Sequence, residues 1–217
     1  MSLEMQLSGF LFLLIIIILI LCEILGHGTI SDLKSEVKLQ KINEDPKKFK
    51  ISFVLLIIEH LSIITLAIML FVAFSPLNII LGVIWVIFRI GESSFQIYDK
   101  KNYWGLLNLA KQYSDASGVE TNEFVNLGLS ILKRKISIFT FSQILFSIGT
   151  LGYSLLFVIY EPVPVIIGWF GIVSSIIYGF GNGVKRVKPD FEVLGNVGGL
   201  LILIFELGLG VWLLFLS

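Results

Sequence analysis

The sequence has few residues that could build a covalently cross-linked or metal-bound fold. Cys22 is the only cysteine among 217 residues, which excludes an intrachain disulfide and any site that needs several thiolates. There are two histidines, but no His-x-x-x-His or Glu-x-x-His pair of the kind that binds catalytic zinc. The hydrolase signature Gly-x-Ser-x-Gly is also missing. We therefore predict neither a metal nor a cofactor, and motifs leave open whether the protein is an enzyme.

Charged residues are scarce as well. Only 15% of the residues are charged and 56% are hydrophobic, and the mean hydropathy is +0.92, which is unlike a soluble globular domain. The lysines are spread over short loops without a recognisable nucleic-acid-binding module, so we expect no nucleic-acid partner. The composition indicates an integral membrane protein whose main partner is the lipid bilayer.

Six apolar runs are long enough to cross that bilayer, because ~20 helical residues at ~1.5 Å each span its ~30 Å hydrocarbon layer. They lie at about residues 8–26, 51–75, 77–98, 136–160, 163–183 and 193–216. The first run lacks the positive start and small-residue cleavage site of a signal peptide, so we interpret it as a membrane helix. The predicted fold is all-α, a bundle of six transmembrane helices forming one domain over residues 1–217.

Three polar segments separate these runs, at residues 28–50, 99–135 and 184–192. They carry fifteen of the sixteen Lys and Arg residues, whereas the turns after the second and fourth runs carry none. The positive-inside rule makes the three basic segments cytoplasmic and places both termini outside.

The polar segments also contain amphipathic stretches. In the first segment, Ser31 or Asp32 can cap a short helix that Pro46 would end. In the second, Tyr103 to Tyr113 suits a helix lying in the membrane interface, and another can run from Thr121 to Arg134. We therefore predict interfacial amphipathic helices in the cytoplasmic loops.

Glycine is concentrated in the last three runs. Small residues let helix backbones approach closely in lipid, so these runs should pack tightly on one another or across a homodimer. Gly179-Phe180-Gly181-Asn182-Gly183 does not follow a strand and is not a dinucleotide fingerprint.

Five ionisable residues interrupt the apolar runs. They are Glu59 and His60 in the second run, Arg89 and Glu92 in the third, and Glu206 in the last. A charge at that depth costs at least ~2.5 kcal/mol, so we expect these groups to face the protein interior and to form a ligand- or ion-binding site. Counting from the run boundaries puts Glu59 and Arg89 at the same depth, ~12 Å from the cytoplasmic side.

Equal depth on adjacent helices predicts an ion pair between Glu59 and Arg89. Glu92, three residues after Arg89, can share the guanidinium, whereas Glu206 has no cation in its own run. Because Glu59 and His60 are adjacent, their side chains point ~100° apart and should not hold one ion together. The excess of carboxylates predicts a site that responds to protons or cations and opens toward the cytoplasm. A salt-bridge network that only fixes helix order is the alternative.

Several short motifs resemble the domain-of-unknown-function family DUF4386. They are Arg89-Ile90-Gly91-Glu92, Leu151-Gly152-Tyr153, the stretch Pro162-Val163-Pro164-Val165-Ile166-Ile167-Gly168-Trp169-Phe170-Gly171, and Glu206 six residues before Trp212-Leu213-Leu214. The resemblance covers the chain from about the third run onward. It implies a small multi-pass membrane protein of bacteria or archaea, with Arg89, Glu92 and Glu206 at family motif positions.

Three functions agree with these features. The leading one is a site of Glu59, His60, Arg89, Glu92 and Glu206 that binds a small ligand, a cation or a proton in transport or sensing. The second is a membrane enzyme acting on a lipid or isoprenoid, with Glu59, His60 and Glu206 as acid and base groups. The third is a structural or accessory subunit that binds no ligand.

Overall fold

The computed structural model describes residues 2–26, 34–188 and 191–216. Across these residues the chain forms seven α-helices and no strand: α1 (Leu3–Ile24), α2 (Ser35–Glu44), α3 (Pro46–Phe74), α4 (Ile79–Asp115), α5 (Val119–Tyr160), α6 (Val165–Val187) and α7 (Val193–Phe215). All but α2 are long and apolar enough to cross a membrane. The prediction of an all-α polytopic membrane protein with six long apolar helices is confirmed.

The short helix expected in the first polar segment is α2, which ends at Glu44. Pro46 then opens α3, where its missing N–H is no loss and its fixed φ suits the first helical turn. Asp45 caps α3 by accepting a hydrogen bond from the Lys48 backbone N–H at 3.1 Å, which lowers the pKa of the Asp45 carboxyl. The predicted caps Ser31 and Asp32 lie outside the described residues.

The second polar segment differs from the prediction of separate interfacial helices. Its first part continues α4 to Asp115 and its second part belongs to α5, which starts at Val119. No proline interrupts the chain between the apolar and polar parts, so both helices continue. The chain turns only at Gly118, whose φ of +66° suits glycine. These extensions pack with α2 and the start of α3 around a small apolar core of Leu39, Ile42, Phe49, Tyr103, Leu106, Leu109 and Ala110.

The six long helices form a closed ring in the order α1, α3, α4, α5, α6, α7 and back to α1. Glycines make the close contacts in the later helices, as predicted. A Cβ on Gly181 would lie 2.6 Å from the Gly195 backbone N, and one on Gly198 would lie 2.5 Å from Tyr178 Cα. Gly9 closes the ring, since its Cβ would lie 2.5 Å from the Leu214 backbone N. Tight packing of the last three runs within the chain is confirmed, and the homodimer stays a prediction.

The interior of the ring has two ends of different character. We call the end that holds both chain termini and the turns after α3 and α5 the termini end, and the opposite end, with α2, the basic end. The main apolar core occupies the interior toward the termini end, where its members include Phe12, Phe74, Trp85, Tyr153, Phe157, Leu209 and Leu213. The buried charged side chains of α3 and α4 lie between this core and the basic end.

Candidate functional site

Three helices supply the five ionisable residues expected from the sequence. α3 carries Glu59 and His60, α4 carries Arg89 and Glu92, and α7 carries Glu206. The first four are no more than 5% exposed, and the side chain of Glu206 is 14% exposed. Glu92 lies within electrostatic range of both Glu59 and Glu206, so the carboxylates of three helices share one region of the interior.

Arg89 is the centre of this group. Its Nη1 donates to Glu92 Oε2 at 2.7 Å, and its Nη2 lies 4.0 Å from Glu206 Oε1. The guanidinium carbon lies 5.2 Å from the Trp85 ring centroid and 4.4 Å from that of Phe146, which adds cation–π attraction to both rings. Arg89 Nε has no hydrogen-bond partner among the described residues. Arg89 is therefore bound to two carboxylates and still has an unsatisfied donor.

The expected ion pair between Glu59 and Arg89 is absent. Arg89 pairs with Glu92, because residues three apart on one helix already lie side by side and need no approach from α3. Glu59 Oε2 lies 2.9 Å from His60 Nδ1, closer than two adjacent side chains were expected to come. The contact lacks hydrogen-bond geometry, and neither ring nitrogen of His60 has a partner among the described residues.

Lys100 joins this group, although the sequence placed it in a cytoplasmic loop. It is 5% exposed and lies within electrostatic range of Glu59, without an ion pair closer than 4.0 Å to any described residue. The signal that could have found it is helical spacing. One buried face of α4 carries, in order, Arg89, Glu92, Ser93, Gln96, Asp99 and Lys100. We call this row of side chains the α4 polar face.

Two tyrosines and a glutamine also border the site, and sequence reasoning missed them. Tyr153 on α5 lies within electrostatic range of Arg89 and Glu206, and its ring meets that of Trp85 edge-on at 4.4 Å. Tyr178 on α6 donates to Gln143 Oε1 at 3.0 Å and lies within range of Glu92. Polar residues recurring inside the apolar runs of α5 and α6 were the available signal.

A small cleft lies between α4 and α5 near the basic end, with room for about one water molecule. It is lined by Gln96, Asp99, Lys100, Lys135, Ile138 and Phe139. Asp99 is engaged there, since its Oδ1 lies 3.3 Å from Arg134 Nε and accepts from Asn102 Nδ2 at 3.3 Å. The cleft begins one helical turn beyond Glu92, because Gln96 follows it by four residues.

The donor set does not resemble a metal centre. Within residues 2–26, 34–188 and 191–216, no three His, Cys, Asp or Glu side chains converge as metal ligands would. Glu92 and Glu206 are two carboxylates separated by a guanidinium, an arrangement that suits a single positive charge better than a divalent ion.

Six long apolar helices with charged residues buried between them define a multi-pass integral membrane protein. The chain belongs to the family described as Domain of unknown function (DUF4386), whose model matches residues 7–216. The family predicted from the motif residues is confirmed, and the match extends to the first two spans. No curated protein and no solved structure matches the chain.

Proposed function

We propose that the protein binds one proton or one monovalent cation at the intramembrane site around Arg89, and that it uses this site in transport or sensing. The observation that carries the proposal is the arrangement of two buried carboxylates, Glu92 and Glu206, on one guanidinium. Both carboxylates belong to the spans of a membrane protein, where an uncompensated charge is costly.

The charges in direct contact do not balance. Arg89 offsets one of its two carboxylates, so one negative charge remains when both are ionised. Glu59 adds another, and the cations in its range are Lys100, beyond ion-pair distance, and His60 if protonated. In a low-dielectric interior such an excess favours the uptake of a proton or a cation.

The residues of the site have different parts in this proposal. Arg89 holds the carboxylates in place through its short contact with Glu92 and its ring contacts with Trp85 and Phe146. Glu206 is the acceptor, because its 4.0 Å contact with Arg89 is the weaker of the two. Glu59 and His60 form an adjoining pair beside this group.

Access to the site is from the basic end. The apolar core covers the site on the termini side, whereas the α4 polar face runs toward the basic end. By the positive-inside rule the basic end faces the cytoplasm, which leaves both termini outside. The proposal is therefore a cytoplasm-facing site within a single six-helix domain.

Thermal stability of the detergent-purified protein tests this function. A cation that binds only the folded state stabilises it by about 2.7 kcal/mol at about 100 times its Kd. We expect the melting temperature of the wild type to change when NaCl replaces choline chloride at constant ionic strength, or when the pH changes. Glu206→Gln should lose that change in melting temperature. Glu161→Gln is the matched control, because Glu161 is an exposed carboxylate in the turn after α5. Parallel responses of all three proteins would leave the buried charges with a structural role.

A further inference from the structure

The α4 polar face connects the site to the basic end without interruption. From Glu92 it continues through Ser93 and Gln96 to Asp99 and Lys100, all buried and all on one side of the helix. Ser93 Oγ has no hydrogen-bond partner among the described residues, and neither has Arg89 Nε. Buried polar atoms left in this way are typically satisfied by internal water.

The cleft at the end of this face restricts what can pass. Its room for about one water excludes an organic substrate in this conformation. Lys100 and Lys135 are among its lining residues, and Arg134 engages the one lining carboxylate, Asp99. A metal cation would have to shed most of its hydration shell to enter a space of this size, whereas a proton can move along hydrogen-bonded water.

From this arrangement we infer that the occupant of the site is a proton, that Glu206 accepts it while Glu92 keeps its contact with Arg89, and that water in the α4–α5 cleft exchanges it with the basic end. The inference rests on the proposed function and narrows its ligand from proton or cation to proton. A hydronium ion in the cleft gives up its proton and becomes water, and one carboxylate becomes a neutral carboxyl group. Arg89 is then balanced by the remaining carboxylate.

Titratable groups from the neighbouring helices surround Glu92 and Glu206. α3 contributes Glu59, α5 contributes Tyr153 and α6 contributes Tyr178, all within electrostatic range of Glu92, Glu206 or both. Farther out, Cys22 on α1 and Lys100 on α4 face Glu59. Only Arg89 among these makes an ion pair with Glu92 or Glu206, so the two carboxylates compete for it.

Infrared difference spectroscopy after a pH jump tests the inference. The wild type should show the C=O band of a protonated carboxyl that Glu206→Gln lacks, and NaCl at constant pH should leave that band unchanged. Gln96→Leu replaces a polar lining side chain by one of similar size. It should slow the appearance of the band about tenfold, a barrier increase of about 1.4 kcal/mol, without changing its final size. Gln96→Asn, which keeps an amide, and Ile138→Leu, which changes an apolar lining residue, should keep the wild-type rate.

The outcomes separate the two proposals. Loss of the band on adding NaCl at constant pH would show that a metal cation occupies the site, which overturns the inference and keeps the proposed function. If the band appears in Gln96→Leu at the wild-type rate, the route through the cleft is overturned. If the wild type shows neither a band nor any response to NaCl, the proposed function itself fails.

Discussion

Arg89 is the residue on which the buried charges depend. Removing one partner of a buried ion pair strands the other, which costs about 3–5 kcal/mol. We expect Arg89→Gln to lower the free energy of unfolding by about that amount, because Glu92 and Glu206 lose the one cation that pairs with them among the described residues. Chemical denaturation in detergent measures the change.

A second variant separates charge from packing at this position. Arg89 also packs against two aromatic rings, and the shorter Gln side chain would leave part of that space empty. If stranded charge is the main cost, Arg89→Gln combined with Glu92→Gln should recover at least half of the lost stability. A double variant no more stable than the single one would assign the loss to packing.

Lys38 gives a pH-dependent prediction outside the membrane spans. It is 1% exposed on α2, its Nζ lies 5.9 Å from the Tyr103 ring centroid, and no described residue accepts a hydrogen bond from it. Burial, followed by repulsion from Lys41, lowers the pKa of Lys38 from 10.5 to about 8. Between these two pH values the unfolded chain binds more protons than the folded protein, so Lys38 makes the free energy of unfolding rise with pH. The destabilisation caused by burying the charged Lys38 is fully present below about pH 8.

Lys38→Met should therefore raise stability at neutral pH by about 1–3 kcal/mol, since it removes a buried charge and keeps the side-chain length. The gain should shrink as the pH rises toward 10.5. Denaturation midpoints across this pH range measure the gain in stability of Lys38→Met. Lys101→Met, at an exposed position on α4, is the control. A gain for Lys38→Met that stays constant with pH would contradict the assigned cause.

At the scale of the helices, glycine contacts decide how closely α6 and α7 approach. A Cβ at Gly198 would meet the backbone of Tyr178, whereas one at Gly208 on the same helix would meet nothing within 4 Å. We expect Gly198→Ala to destabilise the protein by about 1–3 kcal/mol through overpacking. Gly208→Ala should be neutral or stabilising by up to about 1 kcal/mol, because alanine favours the helix. Equal effects on the melting temperature would argue against close packing at Gly198.

The helices also show what the sequence could and could not predict. The six long apolar helices followed from run length, and the close packing of the last three followed from glycine spacing. The full extent of α4 is not predictable from hydropathy, because hydropathy drops after Tyr98 although Asp99-Lys100-Lys101 does not break the helix. For the same reason Lys100 was placed in a loop, while the structure buries it.

Within the site, the identity of the buried ionisable residues was predictable and their pairing was not. Charged residues inside apolar runs are easy to identify in a sequence, and Arg89 and Glu206 were identified in this way. Pairing depends on helix rotation and side-chain reach, which a depth count ignores. The prediction of a Glu59–Arg89 ion pair was therefore wrong, and the neighbouring Tyr153 and Tyr178 were not predicted.

At the scale of the whole molecule, the distribution of basic residues predicts orientation. With Cys22 replaced by alanine, single cysteines at Leu3 and Val119 give exposed positions at the termini end and the basic end. A membrane-impermeant thiol reagent should label Leu3→Cys in intact cells and Val119→Cys only after permeabilisation. The reverse pattern would contradict a cytoplasmic basic end.

The most direct test of the central claim is a reporter inside the site. Trp85 lies 5.2 Å from the Arg89 guanidinium, and replacing Trp104, Trp169 and Trp212 by phenylalanine leaves it as the only tryptophan. If a single positive charge binds beside Arg89, Trp85 fluorescence should change on titration with acid or NaCl, and Glu206→Gln should abolish the change while Glu161→Gln keeps it. Emission that stays constant, or that changes equally with and without Glu206, would contradict the account.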